Sequence, residues 1–469
     1  MTAPWQLDIG ALAQAYAART LSPVEALGSV LTRLDAVNPQ INAVIARDDS
    51  AAYAAARESE RRWLRGAPLS ALDGVPISVK DNIPVAGMPC RWGSALYPAH
   101  AQLRDESPVQ RLRDAGALLF AKTNVPEFTL QGYTDNLVFG TTRNPWATAL
   151  TPGGSSGGAA AAVAAGIGPA ALATDGGGSI RRPAAYTGLV GLKPSWGTVP
   201  RAHGLPEMLP GLEVVGPIAR STADVMRVLQ VIAPTLLWPL DPLATPTPQL
   251  LRIAHWSRIA GSPVDPVIDQ RMAAVAAQLR GMGHLVREAD APAAVHVFNR
   301  LAWPVLSATG LAAVLHDSTP KDDARMTPAL AAMLVTGRAL RAVDLFNAQA
   351  HQRALNDAME RVFEEVDLVL TPACAAMPWP AEQSHPTHID GRQVDPRGHA
   401  VFTAFVNGAG LPALALPAEP SPDGLPIGFQ LIGPHGSDAL LCALGLAFER
   451  LQPQARRWPL PPPSESQPA

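Results

Sequence analysis

The chain reads as an α/β protein built as one large unit with additions, and three observations predict this. Its 469 residues exceed the usual single domain, which allows two or three domains or one extended α/β unit. Strand-like runs such as Val75 to Lys80 and Ala117 to Lys122 alternate with capped, Ala-rich helical stretches. The segment from Thr151 to Pro194 is dominated by Gly, Ser and Ala, and the rest of the sequence is arranged around it.

Composition narrows the function classes. The formal net charge is −3, with no basic run and no interleaving of aromatic and basic residues, so nucleic acid is not expected as a partner. Apolar residues make up 47% and charged ones 16%, mostly as short Ala, Leu and Val runs. No uninterrupted apolar span of about 18 to 20 residues is evident, so no membrane partner is expected. The N-terminus shows neither a positive segment nor an apolar segment of an export signal. Cys90, Cys374 and Cys442 are too few and too scattered for a disulfide framework. A reducing, cytoplasmic location is the expectation.

The chain opens with helices. Ser22-Pro23-Val24-Glu25 is a capping box with Pro at the first helical position, launching a helix to about Leu34. A second helix runs from about Ser50 to Leu64 and stops at Gly66. From Gly74 the pattern changes: Val75 to Asn82 alternates apolar and polar residues as a strand that delivers Lys80 at its C-terminal end. Ligands of open α/β sheets sit at such ends, although a single lysine there is more often a solvated charge. A helix over Pro108 to Ala115 leads to the strand Ala117 to Lys122. The loop Gln131 to Asn136 reads equally as the floor of a site or as a plain connection.

The glycine-rich segment opens TPGGSSGGAAAAVAAG and closes TDGGGSIRRPAAYTGLVGLKP. Between Gly153 and Gly166 only Val163 is not Gly, Ser or Ala, so backbone or ligand can approach closely. Ser155 and Ser179 each sit among glycines. Glycines there allow successive N–H groups to converge on one point, as a developing oxyanion requires.

GVPISVKDN, TNVPEF, the two glycine blocks, VGPIARS and the late DGLPIGFQLIGP occur in this order, and together they resemble the amidase signature family of serine hydrolases. The likeness covers about Gly74 to Pro217 and about Asp367 to Leu451. It implies the amidase signature fold, a large mixed central sheet covered on both faces by helices. It further implies a catalytic set of Ser179 as nucleophile, Ser155 in a cis peptide as bridging serine, and Lys80 as base. The resemblance places an oxyanion hole at the N–H groups of Gly176, Gly177, Gly178 and Ser179, with Asp175 and Arg181 bracing the loop.

The residues support that chemistry independently. A serine hydroxyl needs an adjacent base. None of the 11 histidines sits in a recognisable nucleophile or metal motif, whereas Lys80 ends a strand that can face both glycine loops. Lysine titrates near 10.4 unperturbed, so it serves as a base only when burial favours its neutral form. Ser156 is expected to satisfy a neighbouring backbone group. Arg182 reads as a surface or Asp-paired arginine, with contact to a substrate carboxylate as the alternative. Thr129, Leu130, Gln131, Gly132 and Tyr133 are candidate pocket residues.

Beyond Pro217 the sequence reads as scaffold and pocket wall. Leu236 to Gln249 is a Pro-rich linker. Leu251 to Trp256, Pro266 to Leu279 and His284 to Arg287 form a strand, helix and strand. Residues 295–362 are helical, and Phe298, Trp303, Met326 and Met333 are core residues or, alternatively, parts of a lid. Asp367 to Pro372 is a strand, Pro412 to Leu416 and Pro426 to Ile432 form an antiparallel hairpin, and Ser437 to Leu451 is an amphipathic helix. His385, His388 and Asp390 share a loop whose spacing enforces no metal site.

These readings divide the chain into a helical packing region (1–66), a signature core (67–235), an addition forming a pocket wall (236–365), a return to the core sheet (366–458) and a disordered tail (459–469). The expected activity is hydrolysis of a carbon–nitrogen amide bond, with esters or carbamates as further substrates. No cofactor and no metal are expected. The expected partner is a small-molecule amide, with the chain acting as monomer or homodimer. Two alternatives stand beside it. Gly153 to Gly157 also satisfies G-x-S-x-G, the nucleophile elbow of α/β-hydrolases, with Ser155 as nucleophile. The family also includes the glutamine-hydrolysing component of a glutamyl-tRNA amidotransferase complex, although Gly176 stands where that component usually has Thr.

Overall fold

The computed structural model describes residues 2–234, 245–246, 248–451 and 458–460. Its centre is an eleven-stranded mixed sheet. In chain order the strands are β1 (Val44–Arg47), β2 (Pro76–Lys80), β3 (Leu118–Thr123), β4 (Ala170–Asp175), β5 (Val190–Lys193), β6 (Val214–Ala219), β7 (Arg252–His255), β8 (Leu285–Glu288) and β9 (Leu368–Pro372). A small separate hairpin, β10 (His388–Ile389) with β11 (Arg392–Gln393), precedes β12 (Ala413–Pro417) and β13 (Gly428–Ile432). The large sheet runs β1-β3-β2-β4-β6-β5-β12-β13-β9-β7-β8.

Two parallel blocks, β3-β2-β4 and β9-β7-β8, flank an antiparallel centre. Along β4, Ala171 and Ala173 join one apolar cluster while Ala170 and Leu172 join another, as period-two alternation requires of a sheet covered on both faces. One cover is α5 (Gly157–Ala164) with α6 (Arg181–Thr187). The residues of α5 are Gly, Ala and Val, all buried, which lets the helix lie directly on backbone. The other cover includes α7 (Thr222–Ile232) and α15 (Asp438–Arg450), whose Val225, Leu229, Leu441 and Leu444 meet the second cluster.

The N-terminal region contains the expected helices α2 (Pro23–Ile41) and α3 (Asp49–Leu64), preceded by α1 (Ile9–Ala17). The Ser22 capping box is present, Glu25 N–H donating to Ser22 Oγ at 3.2 Å and Ser22 N–H to Glu25 Oε2 at 2.8 Å. This region is not purely helical, because Val44 to Arg47 add β1 to the sheet edge, antiparallel to β3. Four residues between two helices carry too little alternation to betray a strand. The helix α4 (Ser107–Asp114) and β3 lie where expected.

Between β7 and β8 runs α8 (Pro266–Gly281), and both strands join the main sheet. Residues 293–314 form a continuous helical stretch of α9 (Ala293–Val297), a π-turn at Phe298–Ala302 and α10 (Trp303–Val314). The sequence reading did not anticipate that this stretch is long and apolar enough to pass a membrane-span criterion by length and composition. One face of it packs into the molecule: Phe298 and Leu311 are buried and Trp303 lines the central cavity. The helices α11 (Pro320–Asp323), α12 (Pro328–Ala339), α13 (Ala342–Glu365) and α14 (Ala404–Gly408) complete the molecule.

Most of the expected linker 236–249, and the tail beyond 460, lie outside the described residues. The tail is ordered at its start. Leu460 is packed against the N-terminal helices, and its carbonyl accepts from Arg33 Nη2 at 2.7 Å.

Candidate active site

Because β2 and β4 are parallel neighbours, both bring their C-terminal ends to one rim of the sheet, and there Lys80 meets Thr174. Lys80 is fully buried. Its Nζ lies 2.9 Å from Ser155 Oγ, 2.7 Å from Thr174 Oγ1 and 3.1 Å from the Thr174 carbonyl. Asn82 Nδ2 donates to the same Thr174 hydroxyl at 3.0 Å, which orients it. Burial pushes the lysine down to about 7, against the pull of the Glu213 and Asp175 carboxylates and with the help of Arg201 and Arg182. An amine so placed is in part neutral near pH 7 and can accept a proton there.

The two glycine loops face each other over this lysine. The Gly154–Ser155 peptide is cis. A Cβ on Gly154 would lie 2.5 Å from the Tyr133 carbonyl oxygen, so only glycine lets the 131–133 segment press onto this loop. Ser156 spans the gap between the loops. Its N–H donates to the Ser179 carbonyl at 3.1 Å and its hydroxyl to the Thr174 carbonyl at 3.2 Å. Satisfying neighbouring backbone, as expected of it, also ties the two serine loops together.

The Ser179 side opens to a cavity of about 490 Å³ that Ser155 also lines. Asp175 shapes the turn before it. This buried carboxylate takes both arms of Arg181, at 3.0 and 2.9 Å, and accepts from the N–H groups of Gly178 and Ile180 at 2.7 and 3.0 Å. Burial alone would raise its pKa, but the Arg181 charge and these hydrogen bonds hold it well below the ordinary carboxylate range. Arg181 is anchored in turn by Asn407, Thr403 and Gln430.

The expected oxyanion hole needs one correction. The Gly178 N–H is turned back to Asp175, so it is not available to a substrate oxygen. The N–H groups of Gly176, Gly177 and Ser179 carry no hydrogen bond among the described residues. Gly177 is held from the other side by Trp303, whose ring a Cβ there would meet at 2.5 Å.

Four of the five candidate pocket residues, Thr129, Leu130, Gln131 and Gly132, line the cavity. Tyr133 does not, because its side chain joins Tyr186 and Trp379 in a separate apolar cluster. Of the lid or core candidates, Trp303 and Met333 line the cavity while Phe298 and Met326 are core. His385 reaches the cavity and His388 is exposed on the β10–β11 hairpin.

Arg182 departs furthest from expectation. It is neither on the surface nor paired with an Asp: it is 5% exposed, lines the cavity, and donates from Nη2 to the Gly154 carbonyl at 3.3 Å. Sequence reasoning missed Thr174, Asn407 and the cavity residues Arg397 and His399. Thr174 had a signal in its place just before Asp175; the others lie far along the chain with none.

An elbow reading of Ser155 finds no support. No strand runs into it among the described residues, and its partner is a lysine rather than a histidine. Fold and site together place a buried lysine beside a serine at the rim of a mixed α/β sheet, an arrangement suited to a serine hydrolase. The amidase family model matches residues 25–442. An acylamidase of Rhodococcus erythropolis is 32% identical, covering 96% of each chain. A glutamyl-tRNA(Gln) amidotransferase component of Chloroflexus aggregans is 33% identical over 96% of this chain and 97% of the relative. The crystal structure of a bacterial aryl acylamidase of the amidase signature family superposes with a TM-score of 0.87 at 30% identity, covering 95% of this chain and 96% of that one. The chain belongs to the amidase family, and is accordingly a hydrolase of carbon–nitrogen bonds in amides.

Proposed function

We propose that this amidase cleaves aryl or alkyl acylamides through an acyl-enzyme on Ser179, with Ser155 as relay and Lys80 as base. The observation that carries the reading is the 2.9 Å contact between the buried Lys80 amine and Ser155 Oγ. Neutral Lys80 takes the Ser155 proton as Ser155 takes that of Ser179, and Ser179 Oγ attacks the carbonyl carbon. The oxyanion forms against the N–H groups of Gly176, Gly177 and Ser179, each such donor being worth about 3 to 4 kcal/mol. Ser155 then returns a proton to the leaving amine, and water releases the acid by the same relay.

The acylamidase relatives and the apolar wall of Met208, Leu209, Trp303 and Met333 support a substrate with an apolar limb. The same relay serves esters and carbamates. The amidotransferase relatives support a second reading, a glutamine-hydrolysing component of a complex. Assays of the purified chain alone separate the two: turnover of simple anilides supports the first, and glutamine hydrolysis restricted to a complex supports the second. Trapping decides the nucleophile. A 4-nitrophenyl ester should leave its acyl mass on the Ser179 peptide, and label on Ser155 instead would overturn the proposal. We further propose action as a monomer or homodimer, and a cytoplasmic location, which three buried unpaired thiols support.

A further inference from the structure

Two arginines, Arg182 and Arg397, line the cavity. Arg182 is buried there; among the described residues its Nε is unpartnered and its Nη2 donates to the Gly154 carbonyl at 3.3 Å. Arg397, half-buried, stacks over Trp303 at 5.0 Å from its ring centroid. Neither guanidinium makes an ion pair among the described residues. The nearby acid in the chain, Asp395, instead accepts the Arg397 backbone N–H at 2.8 Å. His399, 3% exposed, also lines the cavity, and neither ring nitrogen meets the distance and angle of a hydrogen bond among the described residues.

The contrast within the molecule is instructive. Buried Arg181 is matched by Asp175, and Arg201 by both Glu106 and Glu213. Glu213, the carboxylate in the cavity wall, is therefore already engaged. Unpaired buried cations are costly, and a planar guanidinium is suited to bind a carboxylate by two parallel hydrogen bonds. Burial, joined by the Arg182 charge, pushes Arg397 down to about 9 and holds His399 well below its ordinary range. Met208, Leu209, Ala308 and Met333 also line the cavity and give it an apolar wall.

We infer that Arg182 and Arg397 form a carboxylate subsite, so that the preferred substrate is an amide carrying an apolar limb and a carboxylate. This deepens the amide-hydrolase reading and rests on it. His399, neutral, supplies a further hydrogen bond to the same anion.

Matched substrates test it. Glutaric acid mono-4-nitroanilide against the valeric anilide places charge on the acyl limb, and 4-acetamidobenzoate against 4-acetamidotoluene places it on the amine limb. The wild-type kcat/KM should favour the charged member of one pair at least tenfold, and Arg397→Met should reduce that preference at least tenfold. Equal rates within both pairs, or an unchanged preference in Arg397→Met, would overturn the inference. Because Arg182 touches the Ser155 loop, Arg397→Met is the decisive variant, with Arg182→Met as a second. Calorimetry with glutarate separates this from the reaction itself. Binding to wild type that weakens at least tenfold in Arg397→Met supports the subsite even if no anilide is cleaved, and absence of glutarate binding together with uncharged preference refutes it.

Discussion

Lys80 Nζ and Ser155 Oγ stand 2.9 Å apart, both residues buried, where two parallel strands end side by side. On the proposed mechanism the lysine acts as base without any histidine, and its titration sets the pH dependence of activity.

With the lysine pushed down to about 7, kcat/KM for a neutral anilide should rise with pH through about 7 and then level off, since the neutral amine is the active form. Glu213 raises the lysine pKa and Arg201 lowers it. Glu213→Gln removes the first influence and leaves the second, so the rising limb should move to lower pH. A profile that peaks near pH 5 in the wild type would contradict the assignment.

Ser179→Ala should abolish acyl-enzyme formation, while Lys80→Met should lower kcat by about 10²- to 10⁴-fold, the usual range for a lost acid–base group. Because the two act as a unit, the double variant should fall little below the worse single variant. Steady-state kinetics on one anilide, with circular dichroism to verify folding, gives the comparison; full activity of Ser179→Ala would return the nucleophile to Ser155.

Asp175→Ala should cost about 3 to 5 kcal/mol of stability, because it leaves Arg181 buried without its counter-charge. Chemical denaturation measures the loss. The folded Asp175 pKa is depressed, so its contribution is present above the unfolded value near 3.9 and declines as pH falls below that. Acid should therefore destabilise the wild type more than Asp175→Asn below about pH 4.

Gly178→Ala should both destabilise the chain and remove activity. Gly178 has φ of +114°, and a Cβ would lie 2.4 Å from Thr403 Oγ1. Thermal melting should fall by several degrees, in line with about 1 to 3 kcal/mol for strain at such a position. A stable, fully active variant would show that the loop tolerates another path.

Much of this site was legible because its chemistry is local. Ser155, Ser179 and Asp175 sit in short glycine-bounded words, and the alternation from Val75 to Lys80 places the lysine at a strand end. The core strands β4, β5 and β6 were harder to see, since β4 is built largely from alanine and carries no hydrophobic contrast. The N-terminal edge strand β1 was too short to register.

Arg182 is the clearest case of the opposite kind. Its neighbour Arg181 faces Asp175, close by in the chain, while Arg182 one step along the same helix points into a cavity whose other cation, Arg397, lies far along the sequence. Likewise, whether Gly178 serves a substrate or Asp175 depends on the turn's final hydrogen bond. Residue order alone determined the α/β class, the serines and the lysine, because backbone-permissive glycines and a strand period are properties of neighbouring residues. Tertiary structure decided which N–H groups remain open, how far the lysine is dried, and which charges stay unpaired, because each depends on burial and on partners brought together only when distant strands and helices pack.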